Sequence, residues 1–426
     1  MTRKNLHFSI LILKSLLIIY LLINNPALAE RTAKQLFEDS KQLVYQVRVI
    51  DLASGDRFSY GSGFQVSEAG HIATNFHVVS SFVHEQDKYR LEVIQNNGIV
   101  IDARLLSIDI VHDLAVLQVE TEQKQFFLLK NTLLSKGDRI YSMGNPLDLG
   151  MTIVEGTYNG LIQISRYQKI LFSGSLNSGM SGGPAFDTEG EIIGINVSKS
   201  GDQISFLVPV ERLSDLIQQA VKNPATEDFK QAITLSLKDD QERFYKGLLN
   251  TSFKLEPLGK MRLPGKISQA LKCWGHTVDQ QDIKYDGVHQ HCRSKDEIYI
   301  NEDFHTGTFS FDYEWLTTKK LNRIQFYHLL EERFSHLSQT STKDSEHITN
   351  YRCYDNFITF DKHSWKASSC FRAYKQYSGL YDALLLLATV DQNDEAMIIR
   401  VGASGISQQN ARLFFNKMLG SMQWNN

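Results

Sequence analysis

The stretch NSGMSGGPAF at residues 177–186 places Ser181 among glycines at positions 179, 182 and 183. Such a run is typical of a tight turn, because glycine adopts backbone conformations that other residues avoid. A serine held in a tight turn is also well placed to attack a substrate, provided that a base can take its proton. The stretch alone therefore leaves two interpretations open: a plain glycine turn between strands, or a nucleophile loop.

The sequence around this stretch predicts many short strands. From about residue 40 to residue 209, runs rich in Val, Ile and Phe, such as QLVYQVRVI and LAVLQVE, alternate with Gly, Asp and Asn breaks. This pattern predicts an all-β sandwich or barrel. Periodic apolar residues predict a short helix before it, in RTAKQLFEDSKQLV, and another after it, in VERLSDLIQQAVKN.

Two polar side chains in the β-rich part can complete a hydrolytic site. His77, in GHIATNFHVVS, is expected at the end of an apolar strand, and Asp113, in VHDLAVLQVE, at the head of another. Serine hydrolysis needs a base and an acid that orients it, and the order His77, Asp113, Ser181 supplies them at spacings of 36 and 68 residues. His71 is a rival base and Ser178 a rival nucleophile, but only Ser181 is followed by two glycines. The order favours a nucleophile loop.

The motifs TNFHVV, DLAVL and GMSGGP together resemble those of trypsin-like serine proteases, in particular the bacterial HtrA (Deg) branch. The similarity continues through GSGFQV, SMGNPLDLGMTIVEG and GEIIGIN and covers about residues 40–215. It implies a chymotrypsin-like double β-barrel. It also implies that His77 is the general base, Asp113 orients it and Ser181 is the nucleophile, while the backbone N–H groups of Gly179 and Ser181 form the oxyanion hole.

The same resemblance implies where specificity is set. It puts Ser175 at the base of the substrate pocket, and Ile195, Asn196 and Val197 in its wall. Because no carboxylate stands among them, we expect a small or medium apolar side chain before the cleaved bond rather than Lys or Arg.

The residue before the nucleophile bears on activation. Met180 stands where zymogen-type trypsins carry an aspartate that pairs with a newly formed N-terminal amine. A methionine cannot accept that ion pair. We therefore expect no trypsinogen-style activation, and control through loops or the C-terminal half instead.

The second half of the chain has a different pattern, in which helices and strands are mixed. We expect a helical connector at residues 216–264 and a smaller α+β domain with an antiparallel sheet at residues 265–426, after a protease domain at residues 30–215. Strand-like GTFSFDYEW and helix-like KKLNRIQFYHLLEERFSHL and SQQNARLFFNKMLGSM support this division. No PDZ domain, which usually follows the barrels in the HtrA branch, is recognisable there.

All four cysteines, Cys273, Cys292, Cys353 and Cys370, lie in this second half. In an exported protein they predict two disulfides, and local pairing of 273 with 292 and 353 with 370 is favoured among three connectivities. The alternative is a zinc site built from Cys273, Cys292 and the nearby His276, His289 and His291. An oxidising compartment favours the disulfides, so we expect no metal and no cofactor.

The N-terminus predicts export. A basic start, an apolar run and the small-residue pattern ALA indicate a signal peptide at residues 1–29, cleaved after Ala29. The alternative is a retained anchor, but the uninterrupted apolar run, Ser15–Ile23, is short for a bilayer span. We expect a periplasmic or secreted protein without a stable membrane span after cleavage.

Composition limits the partners. The 426 residues carry a net charge of only −3, which indicates neither nucleic acid nor an anionic membrane as a partner. We expect an exported serine endopeptidase that acts on proteins or peptides, and a homo-oligomer is compatible with the sequence. One alternative is a site-specific regulatory protease gated by its C-terminal domain. Another is a non-catalytic binding protein on a protease scaffold.

Overall fold

The computed structural model describes residues 30–129, 133–199, 203–222, 228–278, 284–335 and 346–425. The predicted signal peptide, residues 1–29, lies outside them. Within the described ranges, no helix combines the length and the apolar character that crossing a bilayer requires.

The first barrel follows a short helix. Thr32 caps this helix, α1 (Ala33–Ser40), in a reciprocal capping box with Gln35. Six antiparallel strands then close in the order β1-β2-β3-β6-β5-β4, and helix α2 (Phe76–His84) connects β3 to β4. The strands are β1 (Val44–Asp51), β2 (Arg57–Gln65), β3 (His71–Thr74), β4 (Tyr89–Ile94), β5 (Val100–Asp109) and β6 (Leu114–Val119).

The second barrel repeats this plan with six antiparallel strands in the order β10-β11-β12-β9-β8-β7. These strands are β7 (Arg139–Gly144), β8 (Thr152–Leu161), β9 (Ile170–Phe172), β10 (Pro184–Phe186), β11 (Ile192–Lys199) and β12 (Ser205–Pro209). Helix α3 (Val210–Lys222) follows, and its buried Leu213 and Leu216 join the core that the two barrels share. The predicted double β-barrel is confirmed.

The connector is less helical than its sequence indicated. One long helix, α4 (Phe229–Asn250), is followed by strands β13 (Leu255–Leu258) and β14 (Met261–Pro264), and β14 pairs with the last strand, β24 (Gln423–Trp424). Apolar side chains of β13 and β14 are buried in the core of the C-terminal domain. The strands at the end of the expected connector therefore pack as part of that domain.

The C-terminal domain is built on a seven-stranded antiparallel sheet in the order β15-β16-β19-β23-β22-β21-β20. These strands are β15 (Leu271–Val278), β16 (Asp286–Ser294), β19 (Phe309–Thr317), β20 (Arg352–Phe360), β21 (His363–Ala373), β22 (Tyr381–Thr389) and β23 (Glu395–Ile406). Helices α5 (Arg323–Ser335) and α6 (Gln408–Ser421) pack on the sheet, and a separate hairpin joins β17 (Ile298–Asn301) to β18 (Phe304–Thr306). The predicted α+β architecture with an antiparallel sheet is confirmed.

Both disulfides form as local pairs. Cys273 lies directly opposite Cys292 on β15 and β16, and Cys353 opposite Cys370 on β20 and β21. The preferred connectivity is confirmed. Because both sulfurs of the first pair are oxidised, Cys273 and Cys292 are not available as zinc ligands.

The two halves of the molecule share a hydrophobic core. Buried Ile298, Ile300 and Phe304 of the β17–β18 hairpin pack in one cluster with Phe76 and other residues of helix α2. The first half of α4 joins the same cluster. This contact brings the C-terminal domain against the helix that follows β3.

A buried ion pair adds a second tie between the halves. The Arg166 guanidinium lies 2.5 Å from the Asp240 carboxylate on α4, and the Tyr167 hydroxyl donates to the same carboxylate at 2.9 Å. Arg166 also donates to the carbonyl of Gly307, just after the hairpin. Because a buried charge without a partner is costly, this network ties α4 and the hairpin to the second barrel.

Candidate active site

Two hydrogen bonds join His77 to Asp113. The two oxygens of the Asp113 carboxylate accept different hydrogen bonds, one from the backbone N–H of His77 at 2.9 Å and one from its Nδ1 at 2.7 Å. Asp113 itself has a left-handed backbone, with φ of 58°, directly before β6. Asn75 donates to the Asp113 carbonyl at 2.8 Å and so stabilises this turn. The pair holds the imidazole with Nε2 as its free nitrogen.

The sequence context of His77 indicated the end of a strand, but His77 does not lie on a strand. Strand β3 ends at Thr74, and His77 is the second residue of helix α2. The apolar run is misleading because Phe76, Val79 and Val83 are buried on one face of this helix in the core shared with the C-terminal domain. An all-apolar run satisfies a strand pattern and a buried helix equally well.

The charge of Asp113 changes the basicity of His77. Desolvation of the imidazole lowers its pKa, but the adjacent Asp113 carboxylate outweighs this effect, and the pKa of His77 is raised above its ordinary value. Lys169 acts in the opposite direction, because its positive charge disfavours the imidazolium. The histidine side chain is 29% exposed, so a substrate can reach it.

The Ser181 loop lies between the two barrels. Gly179 and Gly182 have φ of 92° and 84°, a left-handed conformation that L side chains rarely adopt. A Cβ on Gly182 would also lie 2.2 Å from the carbonyl oxygen of Ser62. The glycines around Ser181 are therefore required by the backbone and by close packing.

Both barrels hold the loop from behind. The Ser62 hydroxyl donates to the carbonyl of Gly179 at 2.7 Å, and the backbone N–H of Ser62 donates to the carbonyl of Ser181 at 2.7 Å. From the second barrel, the Asn196 amide donates to the carbonyls of Met143 and Met180 at 2.9 and 3.1 Å. These bonds fix the loop that presents Ser181 and the N–H groups of Gly179 and Ser181.

The residues predicted for the substrate pocket differ in exposure. Ser175 is exposed, and the carbonyl of Val197 accepts a hydrogen bond from the Ser181 hydroxyl at 3.3 Å. The side chains of Ile195, Asn196 and Val197 are all buried: Ile195 and Val197 pack in the core shared by the barrels, and Asn196 supports the Ser181 loop. The backbone of these three residues is therefore what is left to form the pocket wall, and that role stays a prediction.

Met180 is buried, only 1% exposed, in the apolar core of the second barrel. Its neighbours in that core are aliphatic or aromatic, among them Ile140 and Phe172. This environment does not accommodate a charged amine. It fits the expectation that the loop is not ordered by a new N-terminus.

One residue beside the site was not predicted. The ring of Tyr299, on the C-terminal hairpin, lies edge-on to the His77 imidazole with 6.0 Å between the ring centres. Its hydroxyl is 3.4 Å from the Ser80 hydroxyl on the next turn of α2, 219 residues earlier in the chain. No local pattern in the sequence links these positions. The His84 imidazole and the carbonyl of Ile300, 2.9 Å apart, add a second contact between α2 and the hairpin.

Comparison with known proteins agrees with this geometry. Residues 61–195 match the family model of the trypsin-like peptidase domain. The "probable periplasmic serine endoprotease DegP-like" of Brucella suis is 35% identical over 179 residues, which are 39% of this chain and 34% of that protein. "Serine protease HTRA3" of Mus musculus is 32% identical over 182 residues, which are 40% of this chain and 39% of that protein. The resemblance inferred from the motifs is confirmed for the protease half.

The similarity ends with that half. The chain spans about a third of the length of the DegP-like proteins that it matches. Among solved structures, the serine endoprotease from Yersinia pestis is 27% identical with a TM-score of 0.40, and it covers 45% of this chain and 67% of that one. Deg5 is 26% identical with a TM-score of 0.39, and it covers 45% of this chain and 95% of that one.

Proposed function

Since residues 61–195 form a trypsin-like peptidase domain, we propose that the protein is an exported serine endopeptidase that hydrolyses peptide bonds of proteins. The observation that carries this proposal is the two-fold bond between the Asp113 carboxylate and His77, in a chain whose glycines hold the Ser181 loop.

The chemistry begins with Ser181. His77 Nε2 takes the hydroxyl proton while the serine oxygen attacks the scissile carbonyl carbon. The carbonyl oxygen becomes an oxyanion, which the backbone N–H groups of Gly179 and Ser181 stabilise. Removal of one such donor typically costs about 3 kcal/mol in the transition state.

The intermediate then breaks down. His77 donates its proton to the departing amine, and an acyl-enzyme on Ser181 remains. Water attacks this ester with His77 again as the base, so the enzyme returns to its starting state. Asp113 stabilises the imidazolium in both steps and keeps the proton of the neutral ring on Nδ1.

Specificity should follow from the pocket that the sequence predicts. Its candidate residues, Ser175, Ile195, Asn196 and Val197, carry no charge. We expect cleavage after small or medium apolar side chains. A peptide library cleaved mainly after Lys or Arg would contradict this.

The decisive experiment is covalent labelling. A fluorophosphonate probe should label the full-length mature protein and should not label Ser181→Ala, whose melting temperature should be unchanged. Labelling that persists in Ser181→Ala would show that another residue is the nucleophile, whereas wild-type protein that never reacts would favour a non-catalytic binding protein.

A second candidate is a site-specific protease whose activity depends on its C-terminal domain. The contact of Tyr299 with His77 favours it, because it couples that domain to the catalytic base. Casein, an unfolded model substrate, distinguishes the two. Extensive degradation indicates broad proteolysis, whereas resistance of casein to an enzyme that reacts with the probe indicates a site-specific enzyme.

A further inference from the structure

A cavity of about 590 Å³ lies between the second barrel and the C-terminal domain. On the barrel side, Leu161, Ile164 and Phe206 supply apolar surface. On the other side, the lining comes from residues that follow or belong to β15 and β16. The volume is enough for several amino-acid side chains.

The cavity is strongly basic, and we refer to it as the basic pocket. Four lysines line it: Lys136, Lys169, Lys272 and Lys295. Among the residues that the structure describes, none of the four forms an ion pair with a carboxylate. The carboxylate of Asp296 also lies there, but it accepts hydrogen bonds from the Ser165 hydroxyl at 2.8 Å and the backbone N–H of Arg166 at 2.5 Å. Each of its two oxygens therefore has a partner inside the protein, and four lysines against one carboxylate leave the pocket with an excess of positive charge.

Two of the lysines contact the same aromatic ring. The ammonium groups of Lys272 and Lys295 both lie 5.2 Å from the centre of the Trp274 ring, so they are at most about 10 Å apart. The face of an indole attracts cations, and two positive charges this near each other attract an anion more strongly than one does. A carboxylate of a bound peptide would therefore be stabilised by both lysines.

The basic pocket is close to the nucleophile. The Ser181 hydroxyl donates to the carbonyl of Val197 on β11, and the next residue, Ser198, pairs with Phe206 on β12. Phe206 in turn pairs with Leu171 on β9, and both residues line the pocket. The two strand spacings from β11 to β9 amount to roughly 10 Å, and the 3.3 Å hydrogen bond from Ser181 adds to this distance. The path from the Ser181 hydroxyl to Leu171 is therefore about as long as four residues of an extended peptide.

Lys169 connects the pocket to the catalytic base. It lines the cavity, and its charge is near enough to His77 to disfavour the imidazolium form. An anionic group bound at Lys169 would therefore lie near His77 rather than at a remote surface.

We propose that the basic pocket binds an acidic segment of the protein substrate, about three to four residues from the scissile bond. This inference rests on the proposed peptidase activity and names a class of substrate for it. The apolar surface of the pocket accepts aliphatic side chains between the acidic residues. A concave site beside the nucleophile fits a peptide chain better than the flat surface of an anionic membrane.

The test compares two peptides that share one cleavable sequence and carry either two Glu or two Gln three and four residues away from the cut. One set of peptides carries the two Glu or two Gln on the N-terminal side of the cut, and a second set carries them on the C-terminal side. Wild-type full-length protein should cleave the better Glu peptide with a kcat/KM about tenfold above its Gln counterpart. The double variant Lys272→Gln/Lys295→Gln should lose most of this preference and retain its activity on the Gln peptide.

A matched control removes two exposed lysines elsewhere in the same domain. Lys319→Gln/Lys320→Gln changes the net charge equally and should keep the preference. Charge reversal, Lys272→Glu/Lys295→Glu, should favour a peptide with two Lys at the same positions. Equal cleavage of Glu and Gln peptides by the wild type, or equal effects of both double variants, would overturn the proposal.

Binding separates this inference from the peptidase proposal. Ser181→Ala should bind the fluorescent Glu peptide about tenfold more tightly than the Gln peptide in an anisotropy titration, whereas probe labelling tests the nucleophile alone. Vesicles with 30% anionic lipid provide the competing outcome. If the lysine variants abolish vesicle binding and leave peptide selectivity unchanged, the pocket is a membrane site and the proposal is wrong.

Discussion

The nucleophile and the base of the candidate site are supported by different parts of the molecule. The Ser181 loop is held from behind by Ser62 of the first barrel and Asn196 of the second. His77 lies on helix α2, and that helix packs against the C-terminal hairpin through Tyr299 and Ile300. The geometry of the nucleophile is thus internal to the protease domain, while the surroundings of the base also depend on the second half of the chain.

This difference has a consequence for control. A change in how the C-terminal domain packs would reach His77 directly and would leave the hydrogen bonds of the Ser181 loop in place. We therefore expect substitutions at the hairpin to alter the base and substitutions at the loop to alter the nucleophile. The predictions below test this division, from the largest expected effect to the smallest.

The largest effect should come from loss of the hydrogen bond between Asp113 and His77, the candidate base. Asp113→Asn should lower kcat about 10⁴-fold, because an amide favours the wrong tautomer of His77. Steady-state kinetics on a fluorogenic peptide measure this. Asp109→Asn is the matched control, since Asp109 holds His112 at 2.6 Å in a second Asp–His pair outside the triad. Comparable losses in both variants would contradict a catalytic role for Asp113.

The next effect tests the nucleophile side. Gly182→Ala should lower kcat about 100-fold and reduce the melting temperature. Its Cβ would meet the Ser62 carbonyl oxygen at 2.2 Å and the Thr74 hydroxyl oxygen at 2.3 Å, and would displace the oxyanion donors. Gly190→Ala has a similar φ of 78°, but its Cβ would meet only the flexible Arg31 side chain, so it controls for backbone strain. Equal losses of kcat would show that steric support of the loop is unimportant.

The pH dependence tests the electrostatics of the base. The neutral imidazole is the active base, and Asp113 raises the pKa of His77 above 6.5. Activity should therefore fall as the pH decreases through a midpoint above 6.5, to about one tenth at one pH unit below it. The profile of kcat/KM against pH measures the midpoint of the free enzyme. In Asp113→Asn the midpoint should move to lower pH, and a wild-type midpoint at or below 6.5 would refute the assignment.

The smallest effect tests most directly whether the C-terminal domain influences His77. Tyr299→Ala should lower kcat about three- to tenfold with little change in KM, since the ring supports His77 and does not bind the substrate in our proposal. Because burial lowers the pKa of His77, admitting water beside the imidazole should also move the midpoint of the pH profile upward. A purely structural role would lower the melting temperature without that shift.

Two further variants control this experiment. Tyr299→Phe retains the ring and should keep most of the activity and the wild-type midpoint. Tyr354→Ala removes an exposed tyrosine of the same domain, 72% accessible, and should change neither quantity. If Tyr299→Ala behaves like Tyr354→Ala, the C-terminal domain does not influence the base.

Local patterns predicted much of the fold. The strand-rich sequence between residues 40 and 209 folds into two barrels, as expected. The closely spaced cysteines pair across neighbouring strands, also as expected. These features depend on residues near one another in the chain. The end of the connector was not predicted, because β14 takes its place beside β24, at the far end of the chain.

For the candidate site, the order of the short motifs around His77, Asp113 and Ser181 and their resemblance to trypsin-like proteases selected all three residues, and the resemblance decided between His77 and His71. Tertiary structure alone decided how they are supported. It put His77 on a helix because that helix buries an apolar face against the first barrel and the C-terminal hairpin, and it buried Asn196 where its amide holds the Ser181 loop. It also brought Tyr299 to the base and gathered lysines from both halves around one cavity. Contacts between residues so distant in the chain depend on how whole elements pack, and no local pattern records that packing.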